Sequence, residues 1–348
     1  MTERLIDLLG YVLAKRHAAL RRDVAWTLAE TFARDRVSPE RRAAEGLCAV
    51  LAAERPAFLP NETLCFTRTV KQLPDLYTKE EMEALRKTAY YHEKGGVFNL
   101  SPNYADTLRV GLDARAGELA ARRIRAIALG DTEAAEFLSC AIRAVDAVLD
   151  LADRYRREAE RQGLKVIAET LAQVPHRGAT TFREALQFLR VLHYALWCEG
   201  EYHNGLGRFD QYLYPYFAAD LAAGRLTEES ALELIEEFFL ACNRDSDLYI
   251  GVQQGDNGQS LMLGGVDKAG KNAFNALSRL CLKASCELKV IDPKINLRVS
   301  SATPLDVLEE ATELTKQGLG FPQYANDDVV IPALVQHGYA LEDARDYT

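Results

Sequence analysis

The chain has 348 residues, 48% of them hydrophobic, and 42 basic against 51 acidic side chains give a formal net charge of −9. Such a length fits one large domain or two average ones and can bury a sizeable core, which excludes a mainly disordered chain. The acidic balance leaves no positive surplus for phosphate groups, so nucleic acid and anionic membranes are disfavoured as partners. No apolar run reaches transmembrane length, and the amphipathic start MTERLIDLLGYVLAKRHAALRR lacks a signal-peptide pattern. Seven cysteines without a CxxC pair point to reduced thiols in a cytoplasmic protein rather than to a zinc ribbon or a disulfide framework.

Residues 1 to about 60 read as helices, with Ser38 as N-cap and Pro39 at the first helical position. The stretch Cys65–Val70 is β-branched and aromatic and reads as extended. Thr78-Lys-Glu-Glu81 is a capping box whose helix should run towards Gly95-Gly96. VFNLSPNY, from Val97 to Tyr104, reads as a loop stiffened by Pro102, and Ala105 to about Val174 as helix, with a stop at Gly163.

A second capping box, Thr181-Phe-Arg-Glu184, opens a helix whose Phe182, Leu186, Leu189, His193 and Leu196 share a face; Cys198–Gly207 follows as an irregular polar segment. Leu226-Thr227 starts another helix. Strand signals come late. Ser260–Gly265 is a short apolar run, and Lys294–Val299 alternates with period two, so strands are predicted within 259–266 and 294–300. The helix ALSRLCLKAS lies between them, and Thr303-Pro304 caps a helix that ends at Gly318. Tyr324 to Val335 holds a further apolar stretch, VVIPALV. The alternation of strand and helix favours parallel α/β packing. The composition changes near Pro175–Thr181, which divides a mainly helical part, 1–178, from an α/β part, 179–348.

Familiar catalytic motifs are missing. Gly205-Leu-Gly207-Arg-Phe-Asp210 fails the dinucleotide fingerprint at its last position. Asp245-Ser-Asp247 opens like a calcium loop, but Ile250 stands where glycine is needed and Asp256 where glutamate is expected. Glu199, Glu201 and His203 alternate and would point the same way in an extended segment. Three readings stay open for them: a metal-dependent hydrolase site, substrate contacts, or a solvated loop. His193 reads as a satisfied core histidine, and Cys281 and Cys286 as buried, inert thiols.

Several longer stretches carry a resemblance. Gly207-Arg-Phe-Asp-Gln-Tyr-Leu-Tyr-Pro-Tyr216, Gln259–Gly265, Asn275–Ser278, Pro293–Arg298, and the run from Gly318–Pro322 through Asn326-Asp327 to Glu342–Tyr347 resemble the glycyl radical enzymes, the pyruvate formate-lyase-like family, in the N-terminal portion of their domain. Asn61-Glu62 and Asn99–Tyr104 extend the likeness into the helical half.

The resemblance implies an α/β fold with a large helical N-terminal part and the first half of a ten-stranded barrel. It implies thiyl-radical chemistry on a small polar metabolite by a lyase, dehydratase or acyltransferase. The catalytic cysteine and the radical glycine are expected beyond Thr348, so no catalytic residue is assigned in this chain and the chain alone is expected to be inactive. No metal and no directly bound cofactor are implied. The organic glycyl radical belongs to the C-terminal part and is installed by an S-adenosylmethionine-dependent iron–sulfur activating enzyme. That enzyme, a small-molecule substrate, the C-terminal half and a second copy in a homodimer are the implied partners. Asn99, His203 and Gln259 are the implied substrate-binding positions, and they should converge on the concave face of the sheet.

Arg208 and Asp210 are expected to be a structural charged pair beside Tyr212, Tyr214, Tyr216 and Phe217. A half-barrel should also leave Leu261, Leu263, Ile295, Leu297, Val329, Val330 and Ile331 half exposed, forfeiting on the order of 5–10 kcal/mol. The alternative is a non-catalytic interaction or regulatory module derived from such a barrel.

Overall fold

A computed structural model of the chain describes residues 1–88, 97–200, 202–244, 248 and 258–347, with the side chains of Val97, Phe98, Asn99, Tyr202 and Tyr347 outside the description. The first half comprises α1 (Glu3–Leu13), α2 (Leu28–Asp35), α3 (Pro39–Ala53), α4 (Lys79–Lys87), β1 (Val97–Leu100), α5 (Tyr104–Val110), α6 (Leu112–Ala128), α7 (Thr132–Gln162) and α8 (Lys165–Leu171). The second comprises α9 (Phe182–Glu199), β2 (Tyr202–Asn204), α10 (Phe209–Tyr212), α11 (Tyr214–Ala222), α12 (Glu228–Asn243), β3 (Ser260–Gly264), α13 (Ala276–Leu288), β4 (Lys294–Val299), α14 (Leu305–Thr315), β5 (Gln323–Asn326), α15 (Asp327–Gln336) and α16 (Leu341–Tyr347). Among the described residues no helix is long and apolar enough to cross a membrane.

Local chemistry sets most helix starts. Ser38 accepts from the Arg41 amide, and Thr78, Thr181 and Thr227 each close a reciprocal capping box. Gly163 ends α7 at φ 73°, a conformation that costs glycine least. Gly111 (φ 88°) separates α5 from α6, and a Cβ there would lie 2.4 Å from the His176 carbonyl oxygen, so the chain can pass only with glycine.

The sheet is all parallel. β1 pairs with β2, and β3, β4 and β5 follow in order. The two parts are stitched where Gly207 bridges Leu261, the Leu206 amide donating to the Ser260 carbonyl and the Met262 amide to the Gly207 carbonyl. The result is two parallel sheets, β1–β2 and β3–β4–β5, joined by this isolated bridge, as in the first half of an open α/β barrel. The predicted strands at 260–264 and 294–299 are present in register, Leu261 beside Ile295 and Leu263 beside Leu297.

Three expectations are corrected. VFNL is strand β1, not loop, and Tyr202–Asn204 within the polar segment is strand β2. Each is too short to announce itself by periodicity and exists because the other supplies its ladder. Val329, Val330 and Ile331 lie on helix α15, capped by Asn326. The segment Cys65–Val70 is extended as read, with one isolated bridge, Val70 to Arg22. The expected continuation of the Thr78 helix to Gly95-Gly96 and the calcium-like Asp245–Asp256 loop lie outside the described residues.

Residues 63–70 cross the interior without a strand partner along most of their length, and buried side chains replace the ladder. Glu237 accepts from the Thr63 and Leu64 amides, Gln187 from Cys65, and Glu54 from Thr69 and Val70. Arg190 donates to the Phe66 carbonyl at 2.7 Å, and the Tyr155 hydroxyl bonds the backbone amide and carbonyl of Thr67. A buried backbone leaves few polar groups unpaired, and these contacts satisfy that demand. Two buried ion pairs flank the segment, Glu54–Arg68 and Glu62–Arg244, each at 2.6 Å. Burial pushes the Glu62 carboxyl up to about 7 despite its arginine.

One hydrophobic cluster runs from Leu5 to Phe321 and includes both halves of the chain. Leu261, Leu263, Ile295 and Leu297 are 0% exposed and share that cluster with Leu277 and Cys281 of α13 and Leu314 of α14. They were expected to depend on a second half-barrel, but the chain's own outer helices cover them. Exposed apolar side chains lie elsewhere, among them Val329, Val335, Tyr339 and Leu341, 41–63% exposed on α15, the turn after it and the start of α16.

Candidate functional site

Side chains alternate across a strand, so covering one face defines the other. With Leu261, Leu263, Ile295 and Leu297 directed to the outer helices, Ser260 and Met262 of β3, Lys294 and Asn296 of β4, and Gln323 of β5 line the concave face. Tyr324 confirms the assignment. It pairs with Leu297 in register, and its hydroxyl lies 3.1 Å from Thr315 Oγ1 on α14, the covered side. The concave residues are half-buried, except for exposed Gln323. The Asn296 amide nitrogen donates to the Lys294 carbonyl at 3.2 Å, so this face is polar and partly open.

The pairing of β1 with β2, Val97 beside Tyr202 and Leu100 beside Asn204, brings the backbones of Asn99 and His203 onto adjacent strands. The Asn99 side chain lies outside the described residues. His203 holds φ 70°, a left-handed conformation uncommon for a side-chain-bearing residue. Its imidazole packs on Gly258, where a Cβ would come within 2.1 Å of the ring. Gln259, the next residue, is buried and donates its amide to the Cys242 carbonyl at 3.0 Å, at the end of α12. Asn99 and His203 are therefore brought together by backbone, while the Gln259 side chain is committed to α12. Glu201 lies outside the described residues, and among the described residues no group of three or more metal-ligating side chains is assembled.

A second constellation sits at the C-terminal ends of the strands, where open parallel sheets carry their sites. Arg298, at the end of β4, forms a bidentate pair with Asp327 at 2.9 and 3.0 Å and also donates to the Arg345 carbonyl at 2.8 Å. Asp327 accepts from the Val266 amide. Arg208 donates to the Gly264 and Val266 carbonyls at 3.1 and 3.0 Å and lies 3.5 Å from Asp346. Burial and the neighbouring Arg298 guanidinium hold Arg208 below its ordinary value. Together the two arginines fasten α16 over the strand ends.

Asp210 turns the other way. It accepts from the Gly264 amide at 2.8 Å and from the Ser278 hydroxyl at 2.5 Å, and burial raises its carboxyl. Arg208 and Asp210 are structural, but each has its own partners rather than forming the expected pair. Arg298 and Asp327 were inside quoted motifs and received no role from sequence reasoning. The available signal was an arginine on the polar side of an alternating strand.

His193 is buried, accepts from the Trp197 indole at 3.0 Å, and is held neutral by burial. Cys281 is fully buried in the core, which pushes its thiol well up, and all seven cysteines are free. A buried, protonated thiol is a poor nucleophile.

A family model described as "Pyruvate formate lyase-like" matches residues 66–348. The (2S)-3-sulfopropanediol dehydratase of Klebsiella oxytoca is 31% identical over 288 residues, covering 76% of this chain and 34% of the relative. The isethionate sulfite-lyase of Nitratidesulfovibrio vulgaris is 33% identical over 237 residues, covering 62% of this chain and 28% of the relative. Among solved structures, the glycerol-bound B12-independent glycerol dehydratase of Clostridium butyricum superposes with a TM-score of 0.81 at 26% identity, covering 99% of this chain and 53% of that one. The chain thus spans about a third of the length of these curated relatives and about half of that solved chain.

Proposed function

Because the chain belongs to the pyruvate formate lyase-like family of glycyl radical enzymes, we propose that it forms the substrate-facing first half of a radical lyase or dehydratase for a small hydroxylated metabolite. One observation carries the reading. The parallel sheets β1–β2 and β3–β4–β5 are joined at Gly207, and on β3 and β4 the apolar face is sealed by helices while the opposite face stays polar. A barrel wall built to hold a small polar molecule has that character.

In this reading Asn99 and His203 contact the substrate. Gln259, tied to Cys242, fixes the start of β3 beside them, and Gly258 leaves room for the His203 ring. Arg208, Arg298 and Asp327 hold α16 at the mouth. The organic radical of such enzymes supplies hydrogen abstraction. The buried thiols of Cys65, Cys140, Cys198, Cys242 and Cys281 do not fit that role, Cys48 and Cys286 are half-buried, and no step is assigned to any of them. The substrate half by itself is proposed to bind and orient rather than to turn over. Its proposed partners are a complementary half-barrel and a radical-installing, S-adenosylmethionine-dependent activating enzyme.

The non-catalytic alternative draws on one observation, that the outer face of the sheet is closed by the chain's own helices. The two readings separate in a ligand titration. Purified 1–348 is titrated with glycerol, 1,2-propanediol and isethionate, following chemical shifts or thermal stability. A saturable response lost in His203→Ala and in Gly258→Ala supports the substrate-facing half. No saturable response to any of the three favours the module, and turnover by the isolated chain overturns the division of labour.

A further inference from the structure

A cleft of about 190 Å³ opens among the helices, between α3, the start of α5 and the end of α9. None of its lining residues belongs to a strand, so it is separate from the concave face. Leu47 of α3, Tyr104 of α5, and Leu192, Ala195 and Leu196 of α9 give it apolar walls. An apolar cavity of about 150 Å³ is enough to hold benzene, whereas drug-sized ligands need about 300 Å³ or more. The cleft therefore fits a small organic molecule and not a peptide.

Three polar side chains reach it, Asn103, Thr107 and Glu199. Two are committed to the start of α5. Asn103 accepts from the Asp106 amide at 3.3 Å and donates to the Asp106 carboxylate at 3.2 Å, and the Thr107 hydroxyl donates to the Asn103 carbonyl at 3.4 Å. Asp106 is in turn paired with Arg109 at 3.3 Å. Glu199 alone of the three has no hydrogen-bond or ion-pair partner among the described residues. It is also the last residue of α9, at the negative end of the helix dipole, and that last turn carries no basic residue. Arg68 reaches this end from the buried side and donates to the Trp197 carbonyl at 3.4 Å, but Glu54 takes up its charge at 2.6 Å. A carboxylate at the C-terminal end of a helix is unfavourable by itself, and a cation beside it is stabilised by the carboxylate and the helix end together.

We propose that this cleft binds a small organic ammonium ion, its hydrocarbon part against Leu47, Leu192 and Leu196 and its charge beside the Glu199 carboxylate. Charge sets the class of ligand. A neutral alcohol of the same shape gains the apolar contacts but not the helix end, and an anion is repelled by the carboxylate and the helix end alike. Glu199 thereby acts apart from Glu201 and His203, with which it alternates in the sequence. The site depends neither on radical chemistry nor on the concave face.

The test is a titration of residues 1–348 with n-butylammonium, 1-butanol and butyrate at constant ionic strength, following the leucine methyl resonances. Butylammonium should shift the methyls of Leu47, Leu192 and Leu196 saturably, with an affinity at least about threefold above that of butanol, and butyrate should bind most weakly. Glu199→Gln should bring butylammonium down to the affinity of butanol and leave butanol unchanged. Position 199 is exposed, and an unchanged thermal melt will show that the fold is intact. Ala195→Met fills the cleft and should abolish binding of both; Glu199→Gln decides the matter whether or not that variant folds. No saturable shift at these methyls, equal affinities for butylammonium and butanol, a preference that survives Glu199→Gln, or binding that survives in a folded Ala195→Met variant overturns the proposal.

Discussion

The two faces of strands β3 and β4 are built from the same ten or so residues and meet opposite fates. On the outer face Leu261, Leu263, Ile295 and Leu297 are sealed completely, whereas on the concave face Met262, Lys294 and Asn296 are only half-buried. The same backbone ladder supports both, so the hydrogen bonds of the sheet do not account for the difference. Helices α13 and α14 do, by covering one side alone. Apolar burial is concentrated on the covered face, and the open face contributes little to it.

Arg298 is the exception that tests this division most severely, because it lies on the concave side yet is buried by α16. Arg298→Met leaves Asp327 buried without its cation and should cost about 3–5 kcal/mol. Chemical denaturation measures the loss, and hydrogen exchange should show α16 released first. A cost below about 1 kcal/mol would mean that the strand-end clamp does not hold the helix.

On the covered face, Leu297→Ala should cost about 2–5 kcal/mol, because the helices cannot collapse fully into the space left. If denaturant unfolding shows less than about 1 kcal/mol, the face is looser than its zero exposure implies.

Asp210 sharpens the comparison electrostatically, since a carboxylate at the β3 end is penalised by burial and its pKa is raised. For an acid raised in the folded state, the unfolded chain ionises first as pH rises. Stability is therefore lost upward from the ordinary carboxylate range through the raised value. Asp210→Asn lacks that titration, so its stability relative to the parent should improve from pH 4 to neutrality. Thermal melts across that range check it, and a gap that moves the other way would show that the hydrogen bonds from Gly264 and Ser278 outweigh burial.

The smallest effect is expected on the open face. Asn296→Ala should change stability by no more than about 0.5 kcal/mol. A loss comparable to that of Leu297→Ala would erase the distinction between the two faces.

Much of this architecture was legible in the amino-acid order. Ser38, Thr78, Thr181 and Thr227 mark helix starts by chemistry confined to a few neighbouring residues. Ile295, Leu297 and Val299 alternate because a strand has period two. The family likeness ran through consecutive residues such as Gly207–Tyr216 and matched a domain reaching residue 348. The proposed substrate positions were legible only as places along the chain, and the fold relates them unevenly. Asn99 and His203 meet because β1 and β2 pair, although about a hundred residues separate them. Gln259 is adjacent in space but bonded to Cys242.

The sequence by itself determined what depends on near neighbours: helix caps, glycine stops, the alternation of β3 and β4, and membership in a family. Only the tertiary structure decided which face of those strands would be sealed, that four residues at 97–100 would become a strand, and that Arg298 would find Asp327 and the Arg345 carbonyl. The reason is physical. An alternating strand states that it has two different faces, but which of them is covered is set by helices that follow in the chain and fold back over it. A buried arginine is stable only where distant acceptors converge, and the partners that supply them appear only when the chain has closed.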